Sequence, residues 1–310
     1  MPVAVFDDAR GVERLRVVTF NIWNRQGPWP QRLPLIRDGL AALEPDVIGL
    51  QEVLGFPGLP SQADEIAAGL GWHVHYAPAW NIGGGLTYGN AILSKHPLLD
   101  AAVLPLPTPD GVDTRSVAFA RVDVPGGPVP LFVTHLTFQH HLGHVRCQQV
   151  RALTDHVAAL APIDSRGSVA RPSPIGASPD RVPTQDGPPP IVLGDFNANP
   201  DSDEIRFMGG LTPLGGACVY FEDAWAVTVG AEPGAGPGWT YDRRNPYALR
   251  SREPSRRIDY VFARGPDRHL RGEPLAAWVA LDQPVDGVWP SDHYAVVADL
   301  QIAVRPHDPF

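Results

Sequence analysis

Short apolar runs, each followed closely by polar residues, are the feature that most restricts how this chain can fold. Three of them are Val47-Ile48-Gly49-Leu50, Leu131-Phe132-Val133 and Ile191-Val192-Leu193, which have the length and composition of buried β-strands. A buried strand holds the side chains at its end at a fixed position on the edge of the sheet. Several such strands can therefore bring their polar ends together in one pocket.

The polar motifs at or beside the predicted strands carry amide, carboxylate and imidazole groups. In chain order they are Thr19-Phe20-Asn21-Ile22-Trp23, Gln51-Glu52, Thr134-His135-Leu136, Gly194-Asp195-Phe196-Asn197, Arg257-Ile258-Asp259-Tyr260 and Ser291-Asp292-His293. Carboxylate and amide oxygens suit a hard divalent cation, and a histidine or an aspartate can serve as a general base. Together these groups are what the hydrolysis of a phosphate ester requires.

Taken singly, most of these motifs have a plain structural explanation. Asp and Asn are common turn residues, which would account for Asp195 and Asn197, and solvated Asp-His pairs such as Asp292-His293 are frequent. Glu52 could face a loop, and His135 could be a core histidine with satisfied hydrogen bonds. The combination of motifs is therefore far more informative than any one of them.

Asp259 is the exception, because it lies inside an apolar strand. A buried carboxylate is costly unless it is paired, so we expect Asp259 to have a partner. A histidine is a good candidate, since a carboxylate that holds an imidazole raises its basicity.

The alternation of strands and helices predicts an α/β fold. We predict strands at residues 14–23, 47–50, 73–77, 90–94, 116–124, 129–135, 191–194, 257–263 and 293–304, and helices at residues 31–43, 61–70 and 143–160. The two halves of the chain show a similar succession of elements, which suggests two packed sheets. We expect a single domain over residues 1–310.

Residues 161–190 differ in kind from the rest. They are rich in Pro, Ser, Gly and Asp, contain few large apolar residues and show no periodicity. Such a composition cannot bury enough apolar surface to offset the entropy of ordering the chain. We predict a mobile surface insertion rather than a boundary between domains.

The overall composition limits the class of protein further. No apolar stretch approaches the roughly 20 residues that span a bilayer, so we expect no transmembrane segment. Residues 1–10 include Asp7 and Asp8 and lack the basic region and apolar core of a secretory signal. We expect a cytoplasmic monomer, with secretion left open in case a leader precedes the given chain.

The number of cysteines and the net charge further restrict the class of protein. Cys147 and Cys218 are too few for a disulfide framework and have no zinc-site spacing, so we expect free, partly buried thiols. The net charge of −9 argues against a high-affinity DNA enzyme, although a local basic groove remains compatible with it. Such a groove could be supplied by a cluster of arginines, for which a solvated loop is an equally good explanation: Arg243, Arg244, Arg250, Arg252, Arg256 and Arg257.

In this order, the motifs resemble those of the endonuclease/exonuclease/phosphatase superfamily. That group includes DNase I, exonuclease III-type repair enzymes, sphingomyelinases, inositol-polyphosphate 5-phosphatases and certain deadenylases. The resemblance runs from about residue 17 to residue 304, with residues 161–190 unmatched. It implies a four-layer α/β sandwich of two packed mixed β-sheets flanked by helices. It also implies hydrolysis of phosphoester bonds with Mg²⁺ or Mn²⁺.

Carried over motif by motif, the resemblance implies a metal site and a site for the attacking water. Glu52 would be the principal metal ligand, assisted by Asn21, and Asp292 would lie near the metal. Asp195 would orient the water.

The remaining motifs are implied to act on the substrate. His293 would be the catalytic histidine, held by Asp259. Asn197 would hold the phosphate, His135 would contact the phosphate or assist the leaving group, and Asn90 would approach the phosphate.

The substrate class is less well determined. Thr134-His135-Leu136 and Tyr88-Gly89-Asn90-Ala91-Ile92-Leu93-Ser94 resemble sphingomyelinase-like and small bacterial members, and the former also resembles DNase I. The resemblance of these motifs and the net negative charge together favour a small-molecule or lipid-headgroup phosphodiester, or a phosphomonoester, as substrate. A DNA or RNA nuclease is the second possibility. A non-catalytic binding module is the third, but such a module should have lost some of the catalytic residues, and all are present.

Overall fold

The computed structural model describes residues 12–162, 164–170, 181–184, 188–265 and 270–304 of the chain. The predictions made for residues 1–10 lie outside these ranges. Among the helices of the described residues, none combines the length and the apolar composition that crossing a membrane requires.

Strands and helices alternate along the chain as predicted. The strands are β1 Val12–Asn21, β2 Val47–Gly55, β3 His73–Gly83, β4 Leu86–Ser94, β5 Leu98–Pro105, β6 Ser116–Val124, β7 Gly127–His135, β8 Asp164–Ala170, β9 Arg181–Thr184, β10 Ile191–Asp195, β11 Glu222–Asp223, β12 Asp259–Ala263, β13 Pro274–Ala280 and β14 Ala295–Val304. The α-helices are α1 Trp29–Ala42, α2 Gln62–Ala67, α3 Gly143–Leu160, α4 Asp203–Met208 and α5 Ala224–Val227, and short 3-10 helices lie at His140–Leu142, Val229–Ala231 and Ala248–Ser251.

Two mixed sheets of six strands each form the body of the protein. The first has the order β13-β14-β1-β2-β4-β3 and the second the order β11-β12-β10-β7-β6-β5. Each contains one parallel pair, β1 with β2 and β7 with β10. The parallel pairs matter for function, because parallel neighbours end at the same edge of a sheet and bring the residues at their ends side by side.

The sheets pack against each other through small and β-branched side chains. Val17, Val47, Val133 and Leu193 are at most 1% exposed in this central layer. The packing is closest at Gly49, where a Cβ atom would come within 2.8 Å of Cγ2 of Val133. A larger residue there would force the sheets apart.

Helices cover the outer face of each sheet, which completes the predicted four layers. Ile36 and Leu40 of α1 pack with Ile66 of α2 against the first sheet. Val150 and Leu153 of α3 pack against the second sheet, together with residues of α4. Each fully buried aliphatic side chain of this kind contributes about 1.5–3 kcal/mol of transfer free energy.

Outside the insertion, five strands and α-helices were not predicted from the sequence, namely β5, β11, β13, α4 and α5. β5 and β13 are the outermost strands of their sheets. Such strands need not be apolar on both faces, and most of their residues are partly or fully exposed. Helix α4 has only six residues, which is too short for a helical period to be recognised.

The predicted insertion differs from expectation in two ways. Strands β8 and β9 form a two-stranded antiparallel sheet of their own, where no regular structure was predicted. A short hairpin with few apolar residues gives no hydrophobic period to detect. Ala161 and residues 188–190 are buried, so both ends of residues 161–190 belong to the protein body. The rest of the insertion lies outside the described residues.

The cysteines also differ in part from the prediction. Both are free, but Cys147 is half-buried while Cys218 is exposed rather than partly buried.

Candidate active site

Neighbouring strands of the second sheet place three predicted site residues in one row. Asp195, the last residue of β10, is paired with His135 at the end of the parallel strand β7. On its other side, Asp195 is paired with Asp259 at the start of the antiparallel strand β12. The buried runs thus deliver His135, Asp195 and Asp259 to one edge of the sheet. Asp259 was predicted inside a strand at 257–263, but β12 begins at Asp259, which places its carboxylate at the edge.

Gly194 is required for this row to form. A Cβ atom at Gly194 would lie 2.1 Å from the backbone oxygen of Thr134 in the neighbouring strand. Only glycine permits this close approach, since the obstacle is backbone and cannot move aside. The glycine before Asp195 is therefore explained by packing.

Asn21 joins this row to the first sheet. Its Nδ2 atom donates hydrogen bonds to Oδ2 of Asp195 at 3.0 Å and to Oε1 of Glu52 at 3.2 Å. Its Oδ1 atom accepts the backbone N–H of Trp23 at 3.0 Å. Asn21 thus bridges two carboxylates as a donor and orients both. An amide binds a cation only through its oxygen, which here accepts from Trp23, so the role of Asn21 as a metal ligand stays a prediction.

Glu52 lies in an irregular part of β2 rather than at the end of a strand. The register between β2 and β4 shifts between Leu50 and Val53, and Glu52 has a φ of 60°. Left-handed backbone in a non-glycine residue is costly, and bulges of this kind re-aim side chains next to functional sites. The bulge directs the carboxylate of Glu52 to Asn21 and to Asn24, whose Nδ2 atom donates to Oε2 of Glu52 at 2.9 Å.

His293 lies between two carboxylates. Its Nδ1 atom is 2.9 Å from Oδ2 of Asp259, and its Nε2 atom is 3.7 Å from Oδ2 of Asp195. The partner expected for the buried Asp259 is therefore a histidine. Burial alone would lower the pKa of His293, but the charges of Asp259 and Asp195 outweigh it and raise the pKa well above its ordinary value. The ring of Tyr241 packs edge-on against the imidazole at 5.0 Å.

Asp195 is held at both of its oxygens. Oδ1 accepts the backbone N–H of Asn197 at 2.9 Å, while Oδ2 accepts from Asn21. Burial, and after it the charge of Asp259, raises the pKa of Asp195 to about 7. Asn197 has a φ of 52° and its Nδ2 atom donates to the carbonyl of Leu136 at 3.1 Å.

His135 has the opposite electrostatic character from His293. Burial, followed by the positive charges of Arg115 and His293, holds its pKa well below the ordinary value. Its Nδ1 atom lies 3.3 Å from the hydroxyl of Tyr88 and its Nε2 atom lies 3.4 Å from Oδ2 of Asp195. A neutral imidazole that accepts from Tyr88 presents an N–H group on the Asp195 side.

Asn90 is buried in β4, and its role at the phosphate stays a prediction. Its Nδ2 atom donates to the backbone oxygen of Ser116 at 2.9 Å, and its buried Oδ1 atom has no hydrogen-bond partner among the described residues. An amide nitrogen carries two hydrogens, so one N–H of Asn90 remains beyond the bond to Ser116.

Arg115 is a site residue that the sequence analysis missed. Its side chain is 3% exposed and pairs with Asp113 at 2.5 Å through Nη2. Its Nε and Nη1 atoms are buried and have no partner among the described residues. Its positive charge acts to lower the pKa of both His135 and Tyr88. The only signal in the sequence is its position directly before β6.

Two groups of residues could hold a divalent cation. The first is the predicted metal site of Glu52 and Asp292, in which Asn21 donates to Glu52 and the charge of Glu52 acts on Asp292. The pKa of Asp292 is raised to about 7 by burial, against the lowering effect of His293, and the charge of Glu52 raises it further. Asp195, Asp259 and His293 form the second, because their ligand atoms lie within 4.8 Å of one another. Carboxylates that repel each other in a buried site fit a divalent cation, which would remove the repulsion.

Comparisons with known proteins agree with this architecture. Among solved structures, an endonuclease/exonuclease/phosphatase from Beutenbergia cavernae DSM 12333 is 28% identical, with a TM-score of 0.64, over 95% of this chain and 73% of that one. TDP2 from Caenorhabditis elegans is 18% identical, with a TM-score of 0.65, over 96% of this chain and 77% of that one. The catalytic domain of human nocturnin is 19% identical, with a TM-score of 0.60, over 94% of each chain.

A comparison with curated protein sequences gave no match. Residues 18–293, however, match the Endonuclease/Exonuclease/phosphatase family, and this range contains every residue of the site described above. The chain therefore belongs to the Endonuclease/Exonuclease/phosphatase family and is a hydrolase of phosphoric esters.

Proposed function

We propose that the protein is a Mg²⁺-dependent phosphodiesterase, with Mn²⁺ as a possible substitute, that acts on a small-molecule or lipid-headgroup phosphodiester. The observation that carries the proposal is the buried imidazole of His293 between Asp259 and Asp195, at 2.9 and 3.7 Å, close to a second pair of carboxylates. Metal-assisted hydrolysis of a phosphoester needs both a group that transfers protons, here His293, and carboxylates that bind the cation.

Glu52 and Asp292 would hold the cation, and Asn21 and Asn24 would orient Glu52. The bound cation would supply positive charge to neutralise the phosphoryl oxygens. We assign the cation to this pair rather than to Asp195, Asp259 and His293. The short contact between His293 and Asp259 and the raised pKa of His293 support a charged imidazole, which binds no metal.

Asp195 would position the attacking water for in-line displacement. Its carboxylate is fixed by Asn197 and Asn21, so the water it binds would have a defined direction. His293, charged and held by Asp259, would stabilise negative charge as it develops and exchange a proton with the reacting oxygens. A positive charge placed in advance in a buried site costs little reorganisation during the reaction.

The phosphate would be held by hydrogen-bond donors on the other side of Asp195. In its neutral form His135 has one N–H group, 3.4 Å from Oδ2 of Asp195, which would donate to a phosphate oxygen bound beside that carboxylate. Arg115 offers two buried nitrogens that have no hydrogen-bond partner among the described residues. Arginine donors match a phosphate well, because their N–H groups lie in one plane. Asn197 retains one amide hydrogen beyond the one given to Leu136.

Ion pairs within the protein engage part of the arginine cluster, which favours a small substrate over a nucleic acid. Arg256 pairs with Glu253, and Arg257 pairs with Asp223 at 2.7 Å; both arginines are buried. Arg244 is exposed but pairs with the buried Asp242. Three of the six charges are thus engaged within the protein, and the net charge is −9.

A nuclease is the alternative. Arg243, Arg250 and Arg252 are exposed, and the ring of Tyr247, over which Arg250 lies, stacks on Trp23 next to Asn21. D. rerio TDP2, which has the same fold at 18% identity, has been crystallised with a single-strand DNA product. Exposed arginines near the site are what such a substrate would need.

A substrate panel tests the proposal. Purified protein would be incubated with plasmid DNA, RNA, sphingomyelin, a phosphoinositide and bis-p-nitrophenyl phosphate, each with Mg²⁺, Mn²⁺ or EDTA. We expect metal-dependent cleavage of one of the small or lipid diesters with a kcat/KM well above that for nucleic acid. Preferred cleavage of DNA or RNA would favour the alternative, and no cleavage of any diester would refute both.

A further inference from the structure

Arg32 is the largest fully buried side chain among the described residues, and the proposed chemistry does not use it. It lies in α1 with no exposed surface, and none of the described carboxylates forms an ion pair with it. Burial lowers its pKa to about 10, although Asp292 and Glu52 act in the opposite direction. Burying a charge without an ion-pair partner destabilises the folded state, so we expect Arg32 to have a role that offsets this cost.

The guanidinium group donates only to backbone carbonyls. Its Nε atom donates to Pro290 at 2.9 Å, its Nη1 atom to Gln26 at 2.7 Å and Asn24 at 3.3 Å, and its Nη2 atom to Ile22. These carbonyls come from two separate loops, one following β1 and the other preceding β14. The planar fork of arginine allows one side chain to hold both loops, which a lysine cannot do.

Two aromatic rings complete the environment of Arg32. The guanidinium carbon lies 5.0 Å from the ring centroid of Trp23 and 5.5 Å from that of Trp29. Cation–π contacts are stronger when the cation is desolvated, as it is here. They help to offset the cost of burying the charge, and they fix the plane of the fork.

Both loops lead directly to the proposed metal ligands. The loop after β1 contains Asn24, which donates to Glu52 at 2.9 Å. Pro290 precedes Ser291 and Asp292, and the hydroxyl of Ser291 donates to the backbone oxygen of Asn21 at 2.7 Å. Arg32 therefore connects the segment that orients one carboxylate to the segment that carries the other.

We propose that Arg32 is a positioning residue that fixes the separation of Glu52 and Asp292 and so sets the affinity of the site for a divalent cation. The inference rests on the metal site assigned under the proposed function. Two effects of Arg32 oppose each other: its charge repels a cation, and its hydrogen bonds hold the ligand loops in place. We expect the second effect to dominate, because removing a group that orients metal ligands typically weakens metal affinity 10- to 100-fold.

Two substitutions separate the effects. Arg32→Lys keeps the charge and loses the fork, and Arg32→Gln removes the charge and keeps two donors. The affinity for Mn²⁺ would be measured without substrate, from the electron paramagnetic resonance signal of the free ion. We expect Mn²⁺ binding to weaken about 10-fold or more in both variants. The kcat at saturating metal should stay within a few-fold of the wild type.

Arg146→Lys is the matched control. Arg146 is also buried and also donates to backbone carbonyls, those of Thr137 and Gln139, but its ion pair is with Glu204, which is not a proposed ligand of the cation. We expect this variant to lose thermal stability without a change in Mn²⁺ affinity. Unchanged affinity in both Arg32 variants would overturn the inference, as would tighter binding in Arg32→Gln.

The Arg32 variants could fail to fold, and Trp29→Phe covers that case. This variant keeps the guanidinium and its hydrogen bonds but weakens one cation–π contact, so we expect Mn²⁺ binding a few-fold weaker. Unchanged affinity in a folded Trp29→Phe variant, with both Arg32 variants unfolded, would also overturn the inference. If the wild type binds no Mn²⁺, the proposed metal site itself is wrong.

Discussion

The Nδ1 atom of His293 lies 2.9 Å from Oδ2 of Asp259. Asp259 begins β12 of the second sheet, and His293 lies two residues before β14 of the first sheet. The contact fixes the imidazole and stabilises its charged form, because the pair is buried. The other oxygen of Asp259 has no hydrogen-bond partner among the described residues. One carboxylate oxygen thus holds the histidine, and the other remains able to accept from a water.

Asp259→Asn should lower kcat by about 10²- to 10⁴-fold with a much smaller effect on KM. An amide of the same shape cannot hold a charged imidazole, so the proton transfer assigned to His293 would be impaired. Steady-state kinetics at saturating Mg²⁺ measure the split between kcat and KM. A loss confined to KM would assign Asp259 to substrate binding instead.

Asp292→Asn should stabilise the metal-free protein at pH 8 by roughly 1–3 kcal/mol. The folded-state pKa of Asp292, about 7, lies above its unfolded value, so the wild type loses stability as the pH rises from the unfolded pKa to about 7, and the loss is complete above that pH. The stability that the bound proton provides is fully present below the unfolded pKa. The advantage of the variant should therefore shrink as the pH falls from 8 towards 4.

Urea denaturation in EDTA across this pH range measures the difference. In saturating Mg²⁺ the order should reverse, since the variant loses a proposed ligand. Equal stability of wild type and variant at pH 8 would show that Asp292 does not lie in a repulsive carboxylate pair.

Residues 164–184 should be dispensable for folding. The strands described there pair only with each other, whereas Ala161 and Pro190 pack in the body of the protein. Replacing 164–184 with a short Gly/Ser linker should leave the Tm within a few degrees of the wild type. A large fall in Tm would mean that the segment contributes to the core.

The dependence of kcat/KM on NaCl should be shallow. Each phosphate neutralised in a nucleic acid contributes a slope of about 0.7–0.9 log unit per log unit of salt, whereas a small diester engages one or two charges. Arg243→Ala combined with Arg250→Ala is the test variant, since Arg244 pairs with the buried Asp242. A steep wild-type slope that flattens in the double variant would support the nuclease alternative.

The row of His135, Asp195 and Asp259 could be predicted from the sequence. His135 and Asp195 each follow an apolar run and Asp259 directly precedes one, and the pairing of buried strands leaves little freedom in where such ends meet. The apolar runs do not determine which chemical role each of these residues has. The family resemblance supplied those roles.

Other parts of the site could not be predicted, for physical reasons. The bulge that re-aims Glu52 depends on the register between β2 and β4, which no local pattern specifies. Arg115 and Arg32 resemble surface residues in the sequence, because the burial of a charged side chain depends on what packs around it. The orientation of Asn21 as a donor depends on two carboxylates distant in the chain.

The most direct test of the account is hydrolysis of bis-p-nitrophenyl phosphate by the wild type and by Glu52→Gln, in Mg²⁺ and after complete metal removal with EDTA. Glu52 is the proposed carboxylate ligand that the bulge in β2 directs into the site, and the glutamine has nearly the same shape. We predict turnover by the wild type only with metal, and loss of turnover in the variant by at least about 100-fold with its Tm nearly unchanged. Undiminished wild-type turnover in EDTA, or full activity of Glu52→Gln, would contradict the central claim.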